Sequence, residues 1–176
     1  MSYYRPEVFL SEDEILNRVS ELAKKITSDY QGEELIVLCV LKGAIVFCTD
    51  LVKNIDLPIQ LEFISLSSYG HSTMSSYNVV MDMDLTANVA NKNVLIVEDI
   101  VDTGLTMKYL FNLLKEKKPK SVKLASLLHK KARTIVPVTI DYLAFEIEDK
   151  FVIGYGLDYA GRYRELPYIG VMSADN

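Results

Sequence analysis

Cysteine is scarce in this chain: Cys39 and Cys48 are the only two among 176 residues. Two thiols are too few for a disulfide framework and are spaced unlike a zinc site, so they read as small buried hydrophobes with no redox role. Positive charge is also in deficit. With 19 Lys and Arg against 24 Asp and Glu, the net charge is -5, which argues against nucleic acid as a main partner. No long uncharged span is present, and the opening MSYYRPEVFLSEDEIL has no charged start followed by an apolar stretch. The expectation is a cytoplasmic protein with no membrane partner. Neither the phosphate loop ending in Lys-Ser or Lys-Thr nor the spaced glycine fingerprint of dinucleotide folds occurs, which weakens ATPase and dehydrogenase readings. His71 and His129 are the only histidines, and neither is assigned a catalytic role. No internal repeat or low-complexity segment is found.

What is present suits a globular fold: 49% apolar and 24% charged residues are enough to build a core, and the length fits one domain over 1–176. Ser11 and Glu14 form a capping-box pattern before Ile15, Leu16, Val19, Leu22, Ala23 and Ile26, predicting an amphipathic helix that ends near Tyr30. ELIVLCVL followed by Lys42-Gly43 and a second apolar stretch reads as strand, turn and helix. IQLEFISL reads as a strand running into SSYGHSTMSSYN, a polar stretch expected to be a mobile loop. VLIVEDI is a strand. After it, Leu105, Met107, Leu110, Phe111 and Leu114 share a helix face that Pro119 terminates. SVKLASLLHK and VTIDYLAFEI are further strands, and the Gly- and Tyr-rich tail holds short extended pieces. Strands alternating with helices predict an α/β fold: a mostly parallel central sheet flanked by helices, with ligands at the carboxyl ends of its strands.

VLIVEDIVDTGLTM, residues 94–107, carries the chemistry. Small and hydroxyl residues from Asp102 to Thr106 stand where a helix begins, so free amides and the helix dipole favour an anion such as a phosphate monoester. Glu98 and Asp99 constrain that reading, because two like charges about 4 Å apart repel by roughly 4 kcal/mol at a surface dielectric. A ligand resolves the conflict if its hydroxyls meet the carboxylates while its phosphates meet the helix start and a cation. A phosphorylated ribose has that layout, and hard oxygen donors suit Mg²⁺ with a pyrophosphate group. The competing reading, solvated acids and an ordinary N-cap, suits one Asp better than three acids joined to Thr-Gly-x-Thr.

VLIVEDIVDTGLTM resembles the phosphoribosyl-pyrophosphate motif of the type I phosphoribosyltransferases. Beyond it, LKG at 41–43, SSYG at 67–70, SLLHKKAR at 126–133 and FEIEDKFVIGYGLDYAGRYRELP at 145–167 resemble the hypoxanthine-guanine branch. The resemblance implies a small hood subdomain from the chain ends. It also implies a purine-salvage transferase joining N9 of hypoxanthine, and of guanine, to the ribose of phosphoribosyl pyrophosphate, with Mg²⁺ as cofactor and a homodimer or homotetramer as assembly. Glu98 and Asp99 would hold the ribose hydroxyls and lie at a metal, and Asp158 would bind a second Mg²⁺. Asp102 would be the general acid or base beside purine N7. Thr103, Gly104, Leu105 and Thr106 would bind the 5'-phosphate through backbone amides. Lys42, Gly43 and Arg164 would meet pyrophosphate, with a non-proline cis peptide expected at Lys42-Gly43. Lys130 would donate to the exocyclic purine oxygen, Phe151 would stack on the ring and the Val152 backbone would read its edge. Ser68 and Tyr69 would belong to a closing loop.

Without the resemblance, Lys130 is a surface lysine, Phe151 a core residue and Arg164 a rim arginine; Lys42-Gly43 is equally an ordinary turn. The basic run from Lys115 to Arg133 reads as a solvated face. Leu105 stands where some relatives carry Lys, and the loop around 67–78 departs from theirs. Two rivals stand beside the transferase: a regulator that senses phosphoribosyl pyrophosphate or nucleotide on the same fold, and a Mg²⁺-binding phosphoacceptor domain.

Overall fold

The computed structural model describes residues 5–69, 78–83 and 85–172. A short strand, β1 (Glu7–Leu10), leads into α1 (Glu12–Asp29). The capping box forms as the sequence predicts: Glu14 N donates to Ser11 Oγ at 3.3 Å, and Ser11 N donates to Glu14 Oε2 at 2.9 Å. Ile15, Val19, Leu22, Ala23 and Ile26 make the buried stripe. Leu16, expected among them, lies off that stripe and is 39% exposed, since a helical turn of 3.6 residues carries it past the contact line.

The chain then gives β2 (Leu35–Leu41), α2 (Ile45–Asn54), β3 (Ile59–Tyr69), β4 (Asn78–Met83), β5 (Asn93–Val101), α3 (Leu105–Glu116), β6 (Ser121–His129) and β7 (Tyr142–Glu146). Their sheet has the order β4-β3-β2-β5-β6-β7. β4 pairs antiparallel, while the other five strands run parallel. The unbroken apolar runs of β2 and β5 follow from burial on both faces. Val37, Cys39, Leu95 and Val97 face α1 and α2, whereas Ile36, Leu38, Val94 and Ile96 face α3 through Met107, Leu110 and Leu114. Cys39 and Cys48 are buried as small hydrophobes on the first of these faces. A second sheet of β1, β8 (Val152–Ile153) and β9 (Ile169–Val171) forms the hood.

Several boundaries differ from the sequence reading. β1 and β4 are strands that local pattern did not reveal; β1 gains its ladder from the distant β9, and β4 from β3. Ser68 and Tyr69 end β3, paired with Val79 and Asn78, and are not in a loop; residues 70–77 and His71 lie outside the described residues. Of the segment VTIDYLAFEI only Tyr142–Glu146 is strand; at Asp141 the side chain, not the backbone, accepts from Leu124 N, at 2.9 Å.

The edge and base of the sheet are closed by side chains. β7 is an outer strand, and Arg18 of α1 caps it, donating to Leu143 O and Ala144 O at 3.0 Å each, which blunts the edge against further pairing. Below, Tyr142 OH donates to Asp29 at 2.7 Å, and Lys123 Nζ reaches Tyr142 OH at 3.1 Å while lying 5.1 Å from the Tyr30 ring centroid. The Tyr142 hydroxyl, ahead of the Lys123 charge, holds Asp29 below the usual carboxylate range. Stability from such a depressed acid is present above its unfolded value and lost as pH falls through the folded one. Tyr142→Phe is expected to lower stability by about 1–2 kcal/mol in urea unfolding at neutral pH. The deficit should narrow below the ordinary carboxylate value of 3.8.

Candidate active site

From β2 the chain passes through α2 to β3 on one side, while β5 continues to β6 and β7 on the other. The carboxyl ends of β2 and β5 therefore flank the point where strand order reverses, the usual ligand crevice of open parallel sheets. Lys42 and Gly43 follow β2, and Glu98 and Asp99 lie near the end of β5. Both β-ends meet at Gly43, where a Cβ would fall inside the Asp99 carboxylate. A side chain at 43 would force the Asp99 carboxylate to move. The cis peptide bond joins Leu41 to Lys42, one bond before the expected place; the sequence marks where the strand ends and does not single out one of its adjacent bonds.

Asp102, Thr103, Gly104 and Thr106 line a cavity of about 90 Å³ with Glu98, Ile100, Val101 and Met107. With about 30 Å³ per liquid water, that space suits a phosphate-sized group. α3 supplies its donors: the helix ladder begins with Lys108 N to Gly104 O, so the amides of its first turn have no acceptor within the helix. Leu105 N makes a long contact of 3.4 Å with Thr103 Oγ1. The Leu105 side chain is not among those lining the cavity, so any part it has in anion binding rests on its amide. From behind, Ile135 N and Val136 N donate to Thr103 O at 3.0 and 2.9 Å, fixing the turn.

The carboxylates are not equivalent. Asp99 Oδ1 accepts from Ile100 N at 2.8 Å. Glu98 is 8% exposed and its Oε2 has no hydrogen-bond partner. Burial, then the charge of Asp99, pushes the Glu98 carboxyl well above the usual carboxylate range. Asp102 Oδ1 is 2.8 Å from Arg133 Nε, but off the line a hydrogen bond requires, so the contact is an ion pair.

Arg133 and its surroundings correct the reading of a solvated basic face. Arg133 sits on a 3-10 turn, Lys131–Arg133, directly after Lys130. Lys130 is 8% exposed, and its Nζ is 3.4 Å from Asp149 Oδ1, which Arg133 Nη1 approaches at 3.5 Å. Lys130 N also donates to Val101 O at 3.0 Å, so the lysine is anchored beside the end of β5. Sequence spacing within KKAR could not show this, because Asp149 arrives from beyond β7. The His129 ring, by contrast, meets Thr134 Oγ1 at 3.3 Å.

The hood brings the remaining residues. Val152 is buried in β8, paired with Val171. Phe151 is 52% exposed and meets the Tyr159 ring edge-on at 5.8 Å; it is not a core residue. Arg164 Nη1 donates to Gly156 O at 2.6 Å, and its Nη2 pairs with Asp158 Oδ1 at 2.7 Å. Gly156 in turn lies against Gly43 O. Asp99, Gly43, Gly156, Arg164 and Asp158 thus form one chain of contacts, and Asp102, Arg133, Asp149 and Lys130 form another. Tyr155, Gly156, Tyr159, Arg133 and Asp149 were missed from sequence. The side chains of Ser68 and Tyr69 are outside the description.

Among the described residues no three His, Cys, Asp or Glu side chains converge on a single point that could hold a metal ion. The donor chemistry nevertheless fits a hard cation: a buried carboxylate oxygen with no donor, beside a second carboxylate, is what Mg²⁺ accepts when a substrate supplies the other oxygens. Glu98 also links the site to pH. A raised folded-state value means its stabilising contribution is complete below the unfolded value, near 4.5, and is lost as pH rises toward the folded one. Glu98→Gln should remove that loss. In metal-free buffer, the unfolding free energy from urea curves at pH 4.5 to 8 should fall for the natural protein, with a slope of up to roughly 1.4 kcal/mol per pH unit, and stay flatter for the variant. Parallel curves would contradict the buried, unpartnered carboxyl.

Residues 10–160 match the phosphoribosyl transferase domain. The hypoxanthine-guanine phosphoribosyltransferase of Dictyostelium discoideum is 48% identical over 173 residues, covering 96% of each chain. The bifunctional protein TilS/HprT of Listeria innocua is 47% identical over 169 residues; the match takes in 96% of this chain and 26% of that protein, so the chain spans about a quarter of this longer relative. A crystal structure of a hypoxanthine phosphoribosyltransferase from Staphylococcus aureus superposes with a TM-score of 0.91 at 42% identity, covering 95% of this chain and 91% of that one. The motif at the end of β5, the hood and these similarities over nearly the whole chain lead to one statement: this chain belongs to the hypoxanthine-guanine phosphoribosyltransferase family.

Proposed function

We propose that the protein transfers the 5-phosphoribosyl group of phosphoribosyl pyrophosphate to N9 of hypoxanthine or guanine, yielding IMP or GMP and pyrophosphate in purine salvage. One observation carries the reading: the phosphate-sized cavity at the start of α3 shares its wall with Glu98 and Asp102. In the reaction the bond from C1' to a pyrophosphate oxygen breaks, its electron pair leaving with pyrophosphate, and the purine N9 lone pair forms the new bond to C1'. The purine proton passes to Asp102, beside N7. Arg133 occupies one oxygen of that carboxylate, and a carboxylate has a second to offer the base.

The other residues bind and orient. Amides at Thr103 to Thr106 receive the 5'-phosphate, with the helix dipole in support. Glu98 and Asp99 accept hydrogen bonds from the ribose diol. Lys42, Gly43 and Arg164 face pyrophosphate. Mg²⁺, bound through substrate oxygens with Glu98, Asp99 and Asp158 nearby, would offset charge on the leaving group. Phe151 offers an exposed ring face for stacking, the Val152 backbone reads the base edge, and Lys130 donates to O6. An ammonium is a donor only, so it suits the 6-oxo group and opposes the 6-amino group of adenine. A cytoplasmic location and a homodimer or homotetramer belong to the same reading; among the described residues no helix is long and apolar enough to cross a membrane.

Free purines incubated with phosphoribosyl pyrophosphate and Mg²⁺ should give nucleotide from hypoxanthine and guanine and little from adenine. Binding of phosphoribosyl pyrophosphate without any nucleotide from a 6-oxopurine would point instead to a sensing protein. Asp102→Asn should fold normally and lose about 10²- to 10⁴-fold in turnover, the usual scale of a general acid or base; an unchanged kcat would remove the proton role.

A further inference from the structure

Between β8 and Asp158 the chain makes a tight strap. Gly154 and Leu157 exchange backbone hydrogen bonds at 3.0 Å, Tyr155 N donates to Leu166 O at 2.8 Å, and Gly156 N donates to Arg164 O at 3.0 Å. Tyr155 has φ 49, in the left-handed region that a bulky side chain rarely adopts. Its ring is 2% exposed, and its hydroxyl donates to Asp50 Oδ2 at 2.7 Å. Burial raises the phenol further above its ordinary value, so it stays a donor at neutral pH. The next residue, Gly156, has φ 99, and a Cβ there would strike Gly43 O.

Asp50 stands on α2, the helix that begins two residues after Gly43. Its other carboxylate oxygen, Oδ1, is 3.4 Å from Lys53 Nζ at the surface, leaving Oδ2 to the tyrosine. The Tyr155–Asp50 bond therefore ties the strap to the element that launches from the Lys42-Gly43 turn. Phe151 and Val152 precede the strap, while Asp158 and Arg164 follow it. A residue whose task was only to turn the chain would be better served by Gly or Asn in this conformation. A tyrosine here trades backbone ease for a hydroxyl delivered to α2.

We propose that Tyr155 and Asp50 are positioning residues that lock the base wall of the site to its pyrophosphate turn, so that the two subsites keep one geometry. The inference rests on the phosphoribosyl-transfer reading for what the subsites bind. It does not rest on that reading for the lock itself.

The lock is tested by amide hydrogen exchange and steady-state kinetics on the full chain, comparing Tyr155→Phe, Asp50→Leu, Asp50→Asn and the double variant Tyr155→Phe/Asp50→Leu, with Lys53→Met as a control. Without any ligand, Tyr155→Phe and Asp50→Leu should speed exchange at Gly154, Tyr155 and Gly156 by about tenfold or more, the scale of one lost hydrogen bond to a charged group. Amides in β2 and β5 should not change. In kinetics, KM for the purine and for phosphoribosyl pyrophosphate should rise together by about fivefold or more on the same scale, with kcat little affected. The double variant should be no worse than either single one. Asp50→Asn keeps an acceptor oxygen and should behave like the natural protein, as should Lys53→Met. Unchanged strap exchange would overturn the lock, as would a rise in only one KM, a loss confined to kcat, or Asp50→Asn failing like Asp50→Leu. If the natural protein made no nucleotide, the activity reading would fall, and the ligand-free exchange would still decide the lock.

Discussion

The carboxylate of Asp99 fills the space that a side chain at position 43 would need. On that exclusion depends the convergence of three parts of the fold. Gly43 sits between β5 below and the hood strap above, touching the Asp99 side chain through its Cα and Gly156 through its carbonyl. Two glycines facing across one carbonyl let backbone pack against backbone where a ligand can reach amides and oxygens instead of side-chain bulk. The doubly covered sheet makes the approach rigid: β2 and β5 hold consecutive parallel pairs from Leu35–Asn93 to Cys39–Val97, with buried residues on both faces.

Around this point charge is distributed by origin. The acids Glu98, Asp99 and Asp102 come from one strand and its exit, while the cations come from separate segments: Lys42 after β2, Lys130 and Arg133 after β6, and Arg164 from the hood. Asp149 bridges Lys130 and Arg133, and Asp158 holds Arg164. Each cation therefore has a carboxylate partner at hand except Lys42, for which no ion pair is seen among the described residues. These pairs are partly solvated, so their net contribution to stability is small. Their physical effect is on placement: long side chains with many rotamers are held in fixed positions by these carboxylates.

The central fold was legible because β2 throughout and β5 from Val94 to Val97 are unbroken apolar runs, a pattern that needs cover on both faces, and because Ser11 with Glu14 announces α1. The site core was legible for a related reason: Glu98, Asp99 and Asp102 to Thr106 are contiguous, so local spacing already fixes their neighbourhood. Arg133, Asp149 and Tyr155 were not, since each acts through a residue well removed in sequence, and nothing in KKAR or GYGLDY says which carboxylate or ring it will meet. β1 escaped for the same cause. The short strand Glu7–Leu10 exists only because Val171, Gly170 and Ile169 lie beside it.

Three features of the site are unfavourable when considered singly. A buried carboxylate oxygen of Glu98 has no donor, a phenylalanine leaves 52% of its surface in water, and a tyrosine takes a left-handed backbone. A core free of functional demands would have removed all three, because unsatisfied polar atoms, exposed rings and strained backbone each cost of order a kilocalorie or more. Their distribution is what gives them sense. On the function proposed above, the carboxylate lining the cavity would meet the sugar, the exposed phenylalanine would stack on the base, and the tyrosine would tie the wall carrying that ring to the turn beside Asp99. A phosphoribosyl nucleotide would relieve the first two at once by donating hydroxyls and covering a ring. The third, buried against α2, would meet no ligand and would instead keep the other two at a fixed separation.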